Sequence, residues 1–141
     1  MLTELSLKPV KLRCLEDSLY FKTIWWYHAA MKVLLVDDYE PQRDLVSGIL
    51  RDHDLVLASD LEEGLTKLAG GDFDVLITDW NLGERSTPIK LVDEAISMGI
   101  KVVIRTGGST EGISRKYRDT VQILPKGEGG EVELIRRSVE R

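Results

Sequence analysis

Three aspartates follow apolar runs in this sequence, and carboxylates placed in this way could bind a cation. Asp37 and Asp38 follow the run 33–36, and Asp79 follows the run 75–78. An acid at such a position can also be a turn former or a helix N-cap. However, both runs fit buried parallel strands, whose carboxyl ends are where ligands bind in open α/β sheets. Three carboxylates meeting there would repel one another and raise each other's pKa unless a cation is present.

An all-oxygen site of this kind favours Mg²⁺, which is commonly bound by one or two carboxylates together with phosphate oxygens. Zinc is disfavoured, because neither His28 nor His53 lies at the end of a predicted strand. Thr106 ends a fourth apolar run and adds a hydroxyl, and Lys126 follows a fifth run and adds an ammonium group. These groups could hold a phosphoryl group on Asp79, with Asp79 as the nucleophile and the metal and Lys126 stabilising charge on the phosphoryl oxygens.

Alternating apolar strands and amphipathic helices must position these residues. The strands are predicted at 33–36, 55–58, 74–79, 101–106 and 121–124. The helices are predicted at about 40–52, from Asp60 as N-cap to Gly70, from Thr87 as N-cap to Gly99, and around 132–139. We expect Ile89, Val92 and Ile96 of the third helix to face the core, and Val132, Ile135 and Val139 mark the last helix. The segment 107–120 carries three glycines and few apolar residues, so any helix in it should be short.

Five strands that alternate with helices predict an α/β fold. The expected architecture is a doubly wound, five-stranded parallel sheet in the flavodoxin-like order 2-1-3-4-5, with helices on both faces. In that order the first and third strands are neighbours. The aspartates that follow them should therefore share one crevice.

The chain has 141 residues, enough for one well-buried core, with a net charge of −5. The acidic balance argues against direct nucleic-acid binding. A single cysteine, no long apolar run and no signal pattern predict a cytoplasmic protein without membrane insertion. The regular pattern begins abruptly at Met31, so we expect a domain at 31–141. Residues 1–30 could be an appended helix, a disordered leader or upstream sequence included through a misplaced start codon, and the abrupt beginning favours the last.

The ordered set of site residues resembles the receiver domain of bacterial two-component response regulators, over about 31–141. The matching residues are, in chain order, Asp37, Asp38, Asp79, Thr106 and Lys126. The resemblance implies that Asp79 is the phosphoacceptor, Lys126 contacts the phosphoryl group and Thr106 is the switch hydroxyl. It further implies that the Mg²⁺ ligands are Asp37, Asp38, Asp79 and the backbone carbonyl of Asn81.

The resemblance also implies a signalling function rather than that of an enzyme. Such a domain receives a phosphoryl group from a histidine kinase or a phosphotransfer protein and then changes its binding to a downstream protein. Nothing resembling an output domain follows in the sequence, so we expect a single-domain regulator of the chemotaxis or phosphorelay type. The alternative is a receiver-like protein-binding module that works without phosphorylation. A third possibility, an aspartate-based phosphatase, has neither a cap domain nor a separate general acid in this sequence.

The sequence departs from the usual receiver pattern at three positions. The family usually has proline directly after the lysine, whereas here Pro125 precedes Lys126 and Gly127 follows it. Ile123 stands where the family usually has its switch aromatic, and Gly83 stands where a proline is common. We therefore do not expect coupling through an aromatic rotamer at Ile123. None of the departures removes a group that the chemistry needs.

Overall fold

The computed structural model describes residues 30–83, 86–127 and 129–140, which belong to one compact unit. The expectations for residues 1–29 lie outside the described residues. The strands are β1 Lys32–Val36, β2 Asp54–Ala58, β3 Val75–Asp79, β4 Lys101–Thr106 and β5 Gln122–Pro125. The helices are α1 Glu40–Ile49, α2 Leu61–Gly70, α3 Ile89–Ser97, α4 Glu111–Tyr117 and α5 Glu131–Ser138, with a 3₁₀ turn at Arg118–Thr120.

All five strands are parallel and lie in the order β2-β1-β3-β4-β5. The predicted fold class and strand order are therefore confirmed. The registers align Val36 of β1 with Thr78 of β3, and Asp79 of β3 with Arg105 of β4. The acids that follow β1 are thus brought beside the acid that ends β3.

Alternate residues of the central strands face two apolar layers, as the period of two in a strand requires. Leu34 and Leu76 belong to the layer covered by α2, α3 and α4, and Val33 and Ile77 belong to the layer covered by α1 and α5. Because both faces are covered, the strands are continuous apolar runs rather than alternating ones. None of the helices in the described ranges is long and apolar enough to cross a membrane.

The helix boundaries follow local sequence signals with small corrections. Asp60 caps α2, since its Oδ1 accepts a hydrogen bond from the Glu63 N–H at 2.7 Å, which confirms the predicted cap. The predicted Thr87 cap is wrong by one residue, because Pro88 is the N-cap of α3 and no side chain bonds there. α1 ends at Ile49, earlier than predicted. α4 has seven residues and is as short as its glycine-rich segment predicts.

Ile89, which we expected in the core, lies at the surface instead, and so does Val132, which marks the last helix. Ile89 is 36% exposed and Val132 is 46% exposed. In α3 the inward positions are taken by Leu91, Val92 and Ala95, which turns Ile89 to the flank of the helix. The apolar pattern fixed which helices are amphipathic but not the rotation of their first turns, where one apolar residue can lie on either edge of the stripe.

Candidate functional site

The acidic cluster lies at the carboxyl ends of β1 and β3. One carboxylate oxygen from each of Asp37, Asp38 and Asp79 lies within 4.8 Å of those from the other two. Asp37 and Asp79 are buried, whereas Asp38 is exposed. The structure therefore brings together the three acids that the sequence places after separate strands.

Burial dominates the electrostatics of Asp37. Desolvation raises the pKa of its carboxyl above the ordinary value of 3.8, and the nearby Asp79 raises it further. A hydrogen bond from the Tyr39 N–H at 3.0 Å and the charge of Lys126 oppose this rise. Overall the pKa of Asp37 is raised, so the protein neighbours stabilise the ionised carboxylate less than burial destabilises it.

Lys126 supplies the cation nearest to the buried acids. Its Nζ lies 2.9 Å from Oδ2 of Asp79 and 3.4 Å from Oδ2 of Asp37. Its backbone N–H donates to the carbonyl of Thr106 at 2.9 Å, which extends the pairing of β4 with β5 by one residue. The position of the lysine is therefore set by the sheet as well as by its own ion pairs.

Two other predicted site residues, Thr106 and Asn81, lie near the cluster, and the roles that the resemblance implies for them stay predictions. Thr106 is buried, and its hydroxyl oxygen accepts from the Gly108 N–H at 3.1 Å. Among the described residues this hydroxyl makes no hydrogen bond with Asp79 or Lys126. The Asn81 N–H donates to Oδ1 of Asp79 at 3.2 Å, and the metal-binding role of the Asn81 carbonyl stays a prediction.

Sequence reasoning missed two basic residues that support the site. Arg43 of α1 donates from Nη1 to the carbonyl oxygen of Asp37 at 2.6 Å. Arg105, directly before Thr106, is 1% exposed and pairs with Glu131 of α5. The signal that could have identified Arg105 is its place directly after the apolar run 102–104 of a predicted strand, because charged residues are almost never fully buried unless paired.

The donor set fits a hard divalent cation such as Mg²⁺. Oxygen atoms of Asp37, Asp38 and Asp79 are the ligands that Mg²⁺ prefers, and the exposure of Asp38 leaves one side open to water. A cation there would also oppose the upward shift of the Asp37 pKa, since it favours the ionised carboxylate.

Comparison with known proteins agrees with this geometry. No protein-family model matches the chain. The chemotaxis protein CheY-3 of Vibrio cholerae is 42% identical over 55 residues, which are 37% of this chain and 42% of that protein. The chemotaxis protein CheY of Pseudomonas aeruginosa is 38% identical over 55 residues, which are 37% of this chain and 44% of that protein. The chain thus spans less than half the length of the curated relatives it matches.

Solved structures extend the likeness to most of the described residues. The structure of the chemotaxis protein CheY4 of Vibrio cholerae matches with a TM-score of 0.66 and 26% identity, over 79% of this chain and 100% of that one. In sequence and in fold, the chain is similar to response regulator receiver domains. A CheY-like receiver domain from Methanospirillum hungatei shares the fold, with a TM-score of 0.66 and 22% identity over 77% of this chain and 90% of its own.

The three departures from the usual receiver pattern have distinct structural settings. Gly127 and Gly83 have positive φ angles of 77° and 89°, a conformation that favours glycine. Ile123 is half-buried and packs against the layer covered by α2, α3 and α4. The loop after Lys126 therefore has a backbone that proline could not adopt at residue 127, because proline fixes φ near −65°.

Proposed function

We propose that this receiver domain is a phosphoacceptor and that Asp79 accepts the phosphoryl group. The observation that carries the proposal is the position of Asp79. Its carboxylate ends β3 within 4.8 Å of two further acids, and its Oδ2 lies 2.9 Å from Nζ of Lys126. The carboxylate thus has both a nucleophilic oxygen and a cation beside the oxygens where charge accumulates.

The proposed step transfers one phosphoryl group. An oxygen of Asp79 attacks phosphorus, the bond from phosphorus to the donor breaks, and the donor leaves with the electron pair of that bond. With phosphohistidine the leaving imidazole nitrogen takes up a proton, and with acetyl phosphate the leaving group is acetate. Lys126 stabilises the negative oxygens of the transferred group. Asp37 and Asp38, with the Asn81 carbonyl, would hold Mg²⁺, which when bound supplies further positive charge to those oxygens.

The partners follow from the same chemistry. The curated relatives are chemotaxis proteins by name. For this chain we infer a phosphohistidine donor, either a histidine kinase or a phosphotransfer protein, and a downstream protein whose binding changes with the state of Asp79. A cytoplasmic location is part of this proposal.

Incubation with acetyl phosphate and Mg²⁺ tests the proposal, with the acyl phosphate located by mass spectrometry. The parent should gain one phosphoryl group on Asp79, and Asp79→Asn should gain none. Asp44→Asn, which changes an exposed acid of α1, is the matched control and should label like the parent. If the parent stays unlabelled with acetyl phosphate and with a phosphohistidine donor, the protein-binding module that works without phosphorylation replaces this proposal.

A further inference from the structure

A buried arginine lies one residue before the predicted switch threonine. Arg105 is aligned with Asp79 on one side and with Leu124 of β5 on the other. Leu124 belongs to the layer covered by α1 and α5, and residues aligned in a parallel sheet point to the same face. The Arg105 side chain accordingly crosses that layer and reaches Glu131 in the first turn of α5.

The carboxylate of Glu131 joins two segments. Its Oε2 accepts a hydrogen bond from Nη2 of Arg105, and its Oε1 accepts from the Gly127 N–H at 3.4 Å. Gly127 directly follows Lys126, whose own N–H donates to the Thr106 carbonyl. One mostly buried ion pair therefore connects the end of β4, the start of α5 and the loop that carries the lysine.

The backbone at residue 127 has conformational freedom that this hydrogen bond would restrict. Gly127 has a φ of 77°, and an added Cβ there would meet nothing within 4 Å, so packing alone does not hold this residue. Glycine has more backbone freedom than any other residue. A hydrogen bond from its N–H to a carboxylate that is itself fixed by Arg105 restricts that freedom beside Lys126.

Stability is a poor explanation for this ion pair. Nε and Nη1 of Arg105 are buried without a hydrogen-bond partner among the described residues. Apolar residues of similar volume often replace a buried ion pair at no loss of stability. Because burying the guanidinium costs free energy, the ion pair is better explained by the positioning of neighbouring residues than by a gain in stability of the fold.

The geometry points to Arg105 and Glu131 as positioning residues for phosphoryl transfer, acting through the Lys126–Gly127 loop. The inference deepens the proposed function and rests on it. Arg105 fixes the carboxylate of Glu131, Glu131 fixes the Gly127 amide, and the loop then holds Nζ of Lys126 within 2.9 Å of Asp79. Neither residue touches the phosphoryl group.

The test measures the labelling rate of the full chain with acetyl phosphate and Mg²⁺. Arg105→Met and Glu131→Ala should each slow labelling of Asp79 by about tenfold or more, because a misplaced group lowers the rate steeply. Glu131→Gln keeps an oxygen that can accept from Gly127 and should label at an intermediate rate. Glu133→Gln is the matched control, since Glu133 lies on the same helix but pairs with the exposed Arg136 and Arg137, and it should label like the parent.

A double variant separates position from stability. Arg105→Met with Glu131→Leu replaces the ion pair by apolar side chains, so it should melt at or above the temperature of either single variant. It should still label about tenfold slowly, because no acceptor for the Gly127 amide is restored. Single variants that label within twofold of the parent, or a double variant that regains the parent rate, overturn the inference. If a single variant does not fold, the double variant decides.

Hydrogen exchange of the backbone amides provides a measurement that does not depend on phosphoryl labelling of Asp79. In Glu131→Ala and in the double variant, the amide of Gly127 should exchange about tenfold faster, as expected for loss of one hydrogen bond, whereas the amide of Lys126, which donates to the Thr106 carbonyl, should change less. In Glu133→Gln they should exchange as in the parent. If the parent does not label, the proposed function fails, and this exchange then decides only whether Arg105 and Glu131 hold the Lys126–Gly127 loop in place. Unchanged exchange in both variants refutes it.

Discussion

Replacing Lys126 by methionine tests whether the acidic cluster depends on this cation. Nζ lies 2.9 Å from Asp79 and 3.4 Å from Asp37, so each Coulomb attraction is about 5 kcal/mol at an effective dielectric constant of about 20. Desolvation cancels much of this. The side chain of Lys126 is 19% exposed and those of Asp37 and Asp79 are 3% and 10% exposed, so the pairs are mostly buried. Removing the lysine leaves two buried carboxylates without a cation and costs about 3 kcal/mol, which lowers the melting temperature by roughly 10 °C or more in a domain of this size.

The assay is thermal unfolding at pH 8, once with a chelator and once with saturating Mg²⁺. Methionine keeps most of the apolar stem of lysine, so the loss should come from charge rather than from packing. Because a bound divalent cation neutralises the same carboxylates, we expect the deficit of Lys126→Met to shrink to less than half in Mg²⁺. Lys90→Met, at an exposed position of α3, should change neither value. An equal deficit with and without Mg²⁺, or no deficit at all, would refute the electrostatic account.

Three further predictions concern single contacts. Asp37→Asn should raise the free energy of unfolding at pH 7 without Mg²⁺, because burial raises the folded-state pKa of Asp37 and its ionised form therefore weakens stability as pH rises above about 3.8. Measured by urea unfolding, this gain should vanish at about pH 3. A chain beginning at Met31 should melt roughly 4 °C lower at pH 6 than one beginning at Ala30. The reason is that the Met31 amide, which donates to Nδ1 of the half-buried His53 at 2.9 Å, becomes a charged ammonium group that is partly desolvated there and repels a protonated imidazole; equal melting would contradict this. Beryllofluoride, a phosphoryl mimic, should change hydrogen exchange in residues 107–120 when it is added with Mg²⁺. Unchanged exchange there would indicate a phosphate carrier without a conformational switch.

The sheet could be predicted because its signal is local and repeated. The runs 33–36 and 75–77, which make up most of β1 and β3, are apolar at every position, and this pattern fits strands that are covered on both faces. Once those strands are neighbours, the acids after them must meet. The Asp37, Asp38 and Asp79 cluster therefore needed only the strand order, and no knowledge of side-chain packing.

Contacts between distant residues could not be predicted in the same way. Arg105 and Glu131 are separated by α4, the 3₁₀ turn, β5 and the loops that join them. No spacing rule pairs a strand residue with the first turn of a later helix. The rotation of α5 about its own axis could not be predicted for a related reason. Val132 fits the edge of the apolar stripe as well as Ile135 does, and only the packed neighbours decide that Ile135 is buried and Val132 exposed.

The absence of an aromatic residue at position 123 does not leave the acceptor strand without a ring contact. Trp80, directly after Asp79, meets Tyr117 of α4 edge to face, with ring centroids 6.5 Å apart and an interplanar angle of 83°. The Tyr117 hydroxyl donates to Asp93 of α3 at 3.0 Å, and burial followed by that carboxylate raises the pKa of Tyr117 well above its ordinary value. The hydroxyl thus stays a donor throughout the physiological pH range, and the contact does not depend on pH.

Segment 107–120 is therefore linked to the site from two sides. At its start the Gly108 amide donates to the Thr106 hydroxyl, which would have to give up that geometry to turn toward a phosphoryl group on Asp79. At its end Tyr117 packs on Trp80, the residue next to the acceptor. A shift of the backbone at Asp79 reaches α4 directly through this ring contact, without any rotamer change at position 123. An exchange response at Tyr117 that survives Thr106→Ala would assign the coupling to the ring contact, and a response lost in that variant would assign it to the hydroxyl.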